Sequence, residues 1–191
     1  MASYVARAET PKANSKRSKI TVTQKRWLLS AHLLFVTAWL GTSFCVLAFN
    51  ITALFTSDPH LLNTISVFTG SLDQTVSRIG AGGTGLTGIL LAVLTQWGLL
   101  RFYWLNLKEI VSILCVTIDL IVIRWNEQLI SLSSSLGPHV LSNPAYLTNR
   151  TLLLIGVLFK IVALAGVIAV SIFKPWGQRK AASQRKVLPA S

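Results

Sequence analysis

The sequence is short of charge, and shortest of acid. Asp and Glu together number 6 against 18 Lys and Arg, and charged residues make up 13% of the 191. Soluble domains carry about 25% charge, so the composition belongs to a membrane class. Cysteine is scarce as well. Cys45 and Cys115 fall in separate apolar runs without metal-ligand spacing, which excludes a disulfide framework and a CxxC motif and leaves them as small buried hydrophobes. A Walker phosphate loop, a serine or cysteine nucleophile constellation and paired catalytic carboxylates are all missing. Ordinary hydrolase and phosphoryl-transfer chemistry therefore has no support. The net charge of +12 does not point to nucleic acid, because that requires a basic face on a soluble fold. Here the excess lies in the two tails.

What the chain has in quantity is apolar surface: 52% of residues, with a mean hydropathy of +0.58. Residues 27–55 run without Asp, Glu, Lys or Arg. About 20 apolar residues suffice to span a bilayer as a helix, so this run is an anchor that stays, too long for the core of a cleaved signal peptide. Further spans are predicted over 79–95, 103–125 and 151–173. The expected fold is all-α: a four-helix transmembrane bundle across 27–177 in the plasma membrane, flanked by a basic, disordered tail at 1–26 and a basic tail at 178–191. The basic tail at the front also suits anionic lipid headgroups. Leu61, Leu62, Ile65, Phe68, Leu72 and Val76 recur at helical intervals, which predicts an amphipathic helix before span two, or an extension of it, closed by Asp73 and Arg78. Residues 126–150, with Ser133 to Ser135, Gly137-Pro138 and Asn143-Pro144, are expected to form an outer loop. The Lys/Arg bias places both termini in the cytoplasm, as an even number of spans requires.

Within span one, His32, Val36, Trp39, Ser43, Val46 and Asn50 share a helical face that should look into the bundle. His32 lies about 8 Å past the start of its span, and Lys108 at about the same depth in span three. Ionisable residues at membrane depth are functional candidates by default. Blander outcomes are a neutral imidazole bonded to a neighbouring helix and a lysine snorkelling to the headgroups. Lys160 is the most costly position, roughly 13 Å inside span four. Asp119 lies within a lysine's length of it, which predicts an Asp119–Lys160 pair, either a structural register pin or part of a proton or ion relay. Gly80, Thr84 and Gly88 are spaced by four, for close helix packing or for approach to a flat cofactor. His60 and His139, with Asp58 nearby, form a weak metal-ligand set on the outer side.

The stretch Ala31-His32-Leu33 to Ala38-Trp39-Leu40-Gly41 resembles the first helix of a group of small bacterial membrane proteins. That group includes the copper-resistance D-type membrane domain, the haem-dependent membrane protoporphyrinogen oxidases and uncharacterised four-helix relatives. Gly88, Trp97-Gly98-Leu99, Tyr103-Trp104 with Lys108, and Lys174-Pro175-Trp176-Gly177 extend the resemblance over residues 27–177. It implies His32 as a haem ligand and Lys108 as the partner of a propionate or substrate carboxylate. The sequence departs from the oxidase pattern in having no second intramembrane histidine, and in its long outer loop and Lys160. Three functions follow as expectations: a haem-binding, redox-active membrane protein; a small transporter or channel component with Asp119 and Lys160 on its path; and a non-catalytic accessory subunit of a membrane complex, partnered by other subunits or by itself.

Overall fold

The computed structural model describes residues 20–95 and 103–173. The expectations for the tails, for the 96–102 turn with Arg101 and for Lys174-Pro175-Trp176-Gly177 lie outside those residues.

Four long helices follow one another: α1 (Val22–Leu54), α2 (Pro59–Leu94), α3 (Tyr103–Leu136) and α4 (Pro144–Phe173). Helix α1 opens on a reciprocal cap, in which the Thr21 hydroxyl accepts from Gln24 N–H and the Gln24 side chain accepts from Thr21 N–H, satisfying two orphan donors at once. At the start of α2, Pro59 occupies the first turn and Asp58 Oδ1 accepts from His60 N–H, a combination that needs no donor from proline. The amphipathic stretch and span two are one continuous helix. The join is a π-helical turn over Asp73–Ser77, where Arg78 N–H bonds to the Asp73 carbonyl five residues back.

The expected loop at 126–150 is mostly helix. Ser133, Ser134 and Ser135 each bond a carbonyl three residues back, so a serine run that could have broken the helix is absorbed by it. Helix α3 therefore reaches Leu136 and the reversal is short. Gly137 takes a φ of +50°, a conformation cheap only for glycine. A 3-10 helix spans Gly137–Ser142, and Asn143 Oδ1 then caps α4 by accepting from Ala145 and Tyr146 N–H.

Each helix packs against the next in order, and α4 closes against α1. The half of α2 before the π turn packs on α3 and the half after it packs on α1. Three of the helices, α1, α2 and α4, are long and apolar enough to cross a membrane. Helix α3 carries Lys108, Glu109, Asp119, Arg124 and Glu127.

The interior mixes an apolar core, with Val46, Leu62, Val122, Leu153 and Val157 packed together, with many polar side chains. Thr42, Ser43, Asn50, Ser66, Thr69, Asp73, Ser77, Asn126, Ser133 and Lys160 are buried, while Leu34, Ile79, Leu86, Ile113, Val162 and Ile172 stand on the outside. This arrangement suits a hydrocarbon surround, which rewards apolar side chains outside and requires polar groups to be satisfied within. The predicted inner face of α1 is realised, with Trp39, Ser43, Val46 and Asn50 all buried. The two cysteines are free, Cys45 on the outside and Cys115 inside.

Candidate functional site

Two polar sites lie along the bundle. The first is at mid-length. Lys160 is 1% exposed, and its Nζ donates to Asp119 Oδ1 at 2.6 Å. The Asp119 carboxylate is held from a second side by Trp39, whose indole Nε1 donates to Oδ2 at 2.7 Å. Three helices thus meet on one carboxylate, α1 through Trp39, α3 through Asp119 and α4 through Lys160. Charge-assisted bonds of this kind are shorter and stronger than neutral ones, and inside a bundle they also fix helix register.

The fourth helix contributes a group that the sequence analysis placed elsewhere. Asp73, expected to close an outer amphipathic helix, is buried at the π turn of α2 within electrostatic reach of both Lys160 and Asp119. Its two carboxylate oxygens have no hydrogen-bond partner among the described residues, and neither has the hydroxyl of Ser77 one turn on. Both side chains border a cavity of about 220 Å³ that also touches Asp119, Arg78, Ala81 and Val116. The signal was in the sequence. Thr69, Asp73, Ser77 and Thr84 continue one polar helical face across the start of the apolar run at 79.

The second site lies nearer the end where α1 begins. There His32, Thr84, Gly88, Leu105, Lys108 and Ser112 line a mostly apolar cavity of about 320 Å³, at the small end of the range for ligand sites. His32 Nδ1 lies 2.9 Å from Thr87 Oγ1. Thr87 Oγ1 also lies 2.6 Å from Gly83 O; with its hydrogen on that carbonyl it accepts from Nδ1–H, the tautomer that leaves Nε2 unprotonated. The Thr84 backbone is a second hydrogen-bond partner of the imidazole. Lys108 lies within electrostatic reach of the imidazole.

The small-residue face divides between the sites. A Cβ on Gly80 would come within 2.8 Å of the Trp39 backbone nitrogen, so Gly80 serves the approach of α1 to α2. Gly88 faces the His32 ring, where an added Cβ would sit 3.5 Å from Cε1, and it borders the cavity with Thr84, whose buried hydroxyl oxygen has no partner among the described residues.

His60 and His139 are both exposed at the far end. A surface depression of about 450 Å³ there is lined by His60, Asn63, Ser133 and Ser134, without His139. Among the described residues, no group of three or more His, Cys, Asp or Glu side chains is placed to hold a metal ion. Compared with protein-family models, curated proteins and solved structures, the chain matches none.

Proposed function

We propose that this chain is a four-span protein of a bacterial plasma membrane, with both termini cytoplasmic, whose cavity at His32 holds a haem for redox work. The observation that carries the reading is His32 on the wall of the cavity, with its Nδ1 2.9 Å from the Thr87 hydroxyl. When Nδ1 donates to that hydroxyl the histidine presents a bare Nε2, which is how ligating histidines are commonly prepared. The residues around it fit the group in kind. The cavity is mostly apolar, Gly88 borders it beside the imidazole, and Lys108 supplies a cation suited to a propionate. A haem held by His32 would supply one-electron chemistry. The chain's own part would be to orient His32 through Thr87, to hold a carboxylate through Lys108 and to surround the group with a mostly apolar wall.

Helix α3 is the fourth span on this reading. Its charges are tolerable because Asp119 is paired inside the bundle and Lys108 and Glu109 line the cavity. The test is an absorption spectrum of the protein purified in mild detergent, oxidised and then reduced. A Soret band with reduced-state α and β bands, lost in His32→Ala while the variant still inserts, supports the assignment. A protein that stays colourless after haemin is added rules it out.

A second reading is favoured by the buried Lys160–Asp119 pair: a small transporter or channel component. It predicts that Lys160→Met abolishes flux in reconstituted vesicles while the fold survives. A protein with neither pigment nor flux, but with a stable partner after gentle extraction, would be an accessory subunit.

A further inference from the structure

The mid-bundle cluster has a charge imbalance that neither reading uses. The 220 Å³ cavity is lined by Asp73, Ser77 and, with an exposed side chain, Arg78 from α2, and by Asp119 from α3. Behind Asp119 stand Lys160 of α4 and the uncharged indole of Trp39 of α1, both bonded to it, with the Cys115 thiol within electrostatic reach. Asp119 has both oxygens satisfied, by Lys160 and by Trp39. Asp73 is 4% exposed and Ser77 2% exposed, yet Asp73 Oδ1, Asp73 Oδ2 and Ser77 Oγ have no partner among the described residues. A carboxylate taken out of water without a counter-charge or a donor is strongly disfavoured, so a positive charge must join it.

We propose that this cavity is an exchange site for one monovalent cation, a proton or Na⁺, with Asp73 as its carboxylate and Ser77 as its second oxygen donor. The proposal does not rest on haem at His32. It goes beyond the transport reading by naming the group that is loaded, and it requires binding alone.

Three observations converge on it. The first is the count of buried charge: Asp73 and Asp119 against Lys160, with the Arg78 guanidinium exposed, leave room for a single positive charge inside, which a divalent ion would exceed. The second is the donor chemistry. Carboxylate and hydroxyl oxygens are hard ligands, suited to a proton or an alkali ion and unsuited to soft metals. The third is the backbone. Asp73 and Ser77 stand one turn apart at the two ends of the π-helical segment, and π turns inserted in α-helices occur frequently at functional sites. With the cation in place the cluster is neutral. When it leaves, the Lys160 ammonium faces two ionised carboxylates in place of one. Loading is thereby coupled to the bond that joins α3 to α4.

The experiment uses the full chain in detergent under weak buffering. Protons released on adding NaCl are counted, with choline chloride as the control, and ²²Na⁺ binding is measured in parallel. Saturable Na⁺ binding with release of up to one proton per chain, both lost in Asp73→Asn, identifies a site shared by the two ions. No Na⁺ effect, but an acid–base titration from which Asp73→Asn removes one proton, identifies a proton-only site. Curves for Asp73→Asn that superimpose on the parent overturn the proposal. Should Asp73→Asn not be recovered folded, the parent and Ser77→Ala decide. The parent must show a carboxylic-acid C=O band in its acid-minus-alkaline infrared difference spectrum, and Ser77→Ala must shift it. The absence of that band together with the absence of Na⁺ binding overturns the site.

Discussion

Trp39 and Lys160 grip opposite oxygens of one carboxylate, the indole at 2.7 Å from Asp119 Oδ2 and the ammonium at 2.6 Å from Oδ1. Removing one partner strands the other. Lys160→Met leaves Asp119 as a buried charge held by one neutral donor, and is expected to cost about 3–5 kcal/mol. The double variant Asp119→Leu with Lys160→Met should recover most of that loss, because an apolar pair of similar volume is often neutral. Thermal unfolding in mild detergent reads both. Additive losses in the double variant would mean that the two side chains are not coupled.

Thr87 acts on His32 through one hydrogen bond, and Thr87→Val removes it while keeping the shape. Loss of such a supporting partner commonly weakens a metal ligand 10–100-fold. Haemin titration of Thr87→Val should therefore show affinity lower by about that factor, and His32→Ala should show no specific site. Equal affinities for the parent and Thr87→Val would mean that the tautomer is not set by this bond.

Close approach of α1 and α2 depends on the absence of a side chain at Gly80. An alanine there meets the backbone of Trp39 at 2.8 Å, and backbone cannot step aside as a side-chain tip can. Gly80→Ala is expected to destabilise by about 1–3 kcal/mol, the range for overpacking. Gly41→Ala is the matched control, since nothing lies within 4 Å of its added methyl. It should be neutral or stabilising by up to about 1 kcal/mol from helix propensity. Similar melting temperatures for the two variants would contradict the contact.

Topology can be read with thiols. In a background with Cys45 and Cys115 replaced by serine or alanine, His139→Cys should react with a membrane-impermeant maleimide in intact cells. Ser183→Cys in the tail should react only after lysis. The reverse pattern would invert the assignment of the termini.

Much of this arrangement is legible in the sequence, and the reasons are physical. The apolar runs over 27–55, which has no Asp, Glu, Lys or Arg, and 151–173, whose one charge is Lys160, are long enough to fix helices by length alone. Counting rise per residue from the ends of the apolar runs brings Asp119 within a lysine's length of Lys160, and their bond follows from depth and desolvation. Three things were less legible. Serine and Gly-Pro signals at 133–138 announce a loop, but serine can bond its own helix backbone, so α3 runs through the serines and turns at Gly137. The expected second loop shrinks to a 3-10 turn for that reason. Charge near an apolar run ordinarily marks its end, which puts Asp73 at an outer edge. The continuity of Pro59–Leu94 carries it into the interior instead. The proton on His32 depends on which way the Thr87 hydroxyl points, a three-dimensional fact that no spacing contains.

The exposed Arg124–Glu127 pair on α3, 3.2 Å apart with side chains 79% and 46% accessible, carries a consequence for voltage. On the four-span reading, two charged side chains facing outward stand above the hydrocarbon, which puts Asp119 at most about 8 Å beneath that boundary, about a quarter of a 30 Å hydrocarbon layer. Arg78, exposed on α2 at the same cavity, must then extend its guanidinium to the same boundary. A cation loaded at the cluster from that side would cross at most about that fraction of the membrane field, and its binding would respond to membrane potential by at most about 0.6 kcal/mol per 100 mV. The two faces of the membrane would thus be electrically unequal with respect to the cluster, and the inequality would be set by where the outward-facing charges stand on α2 and α3.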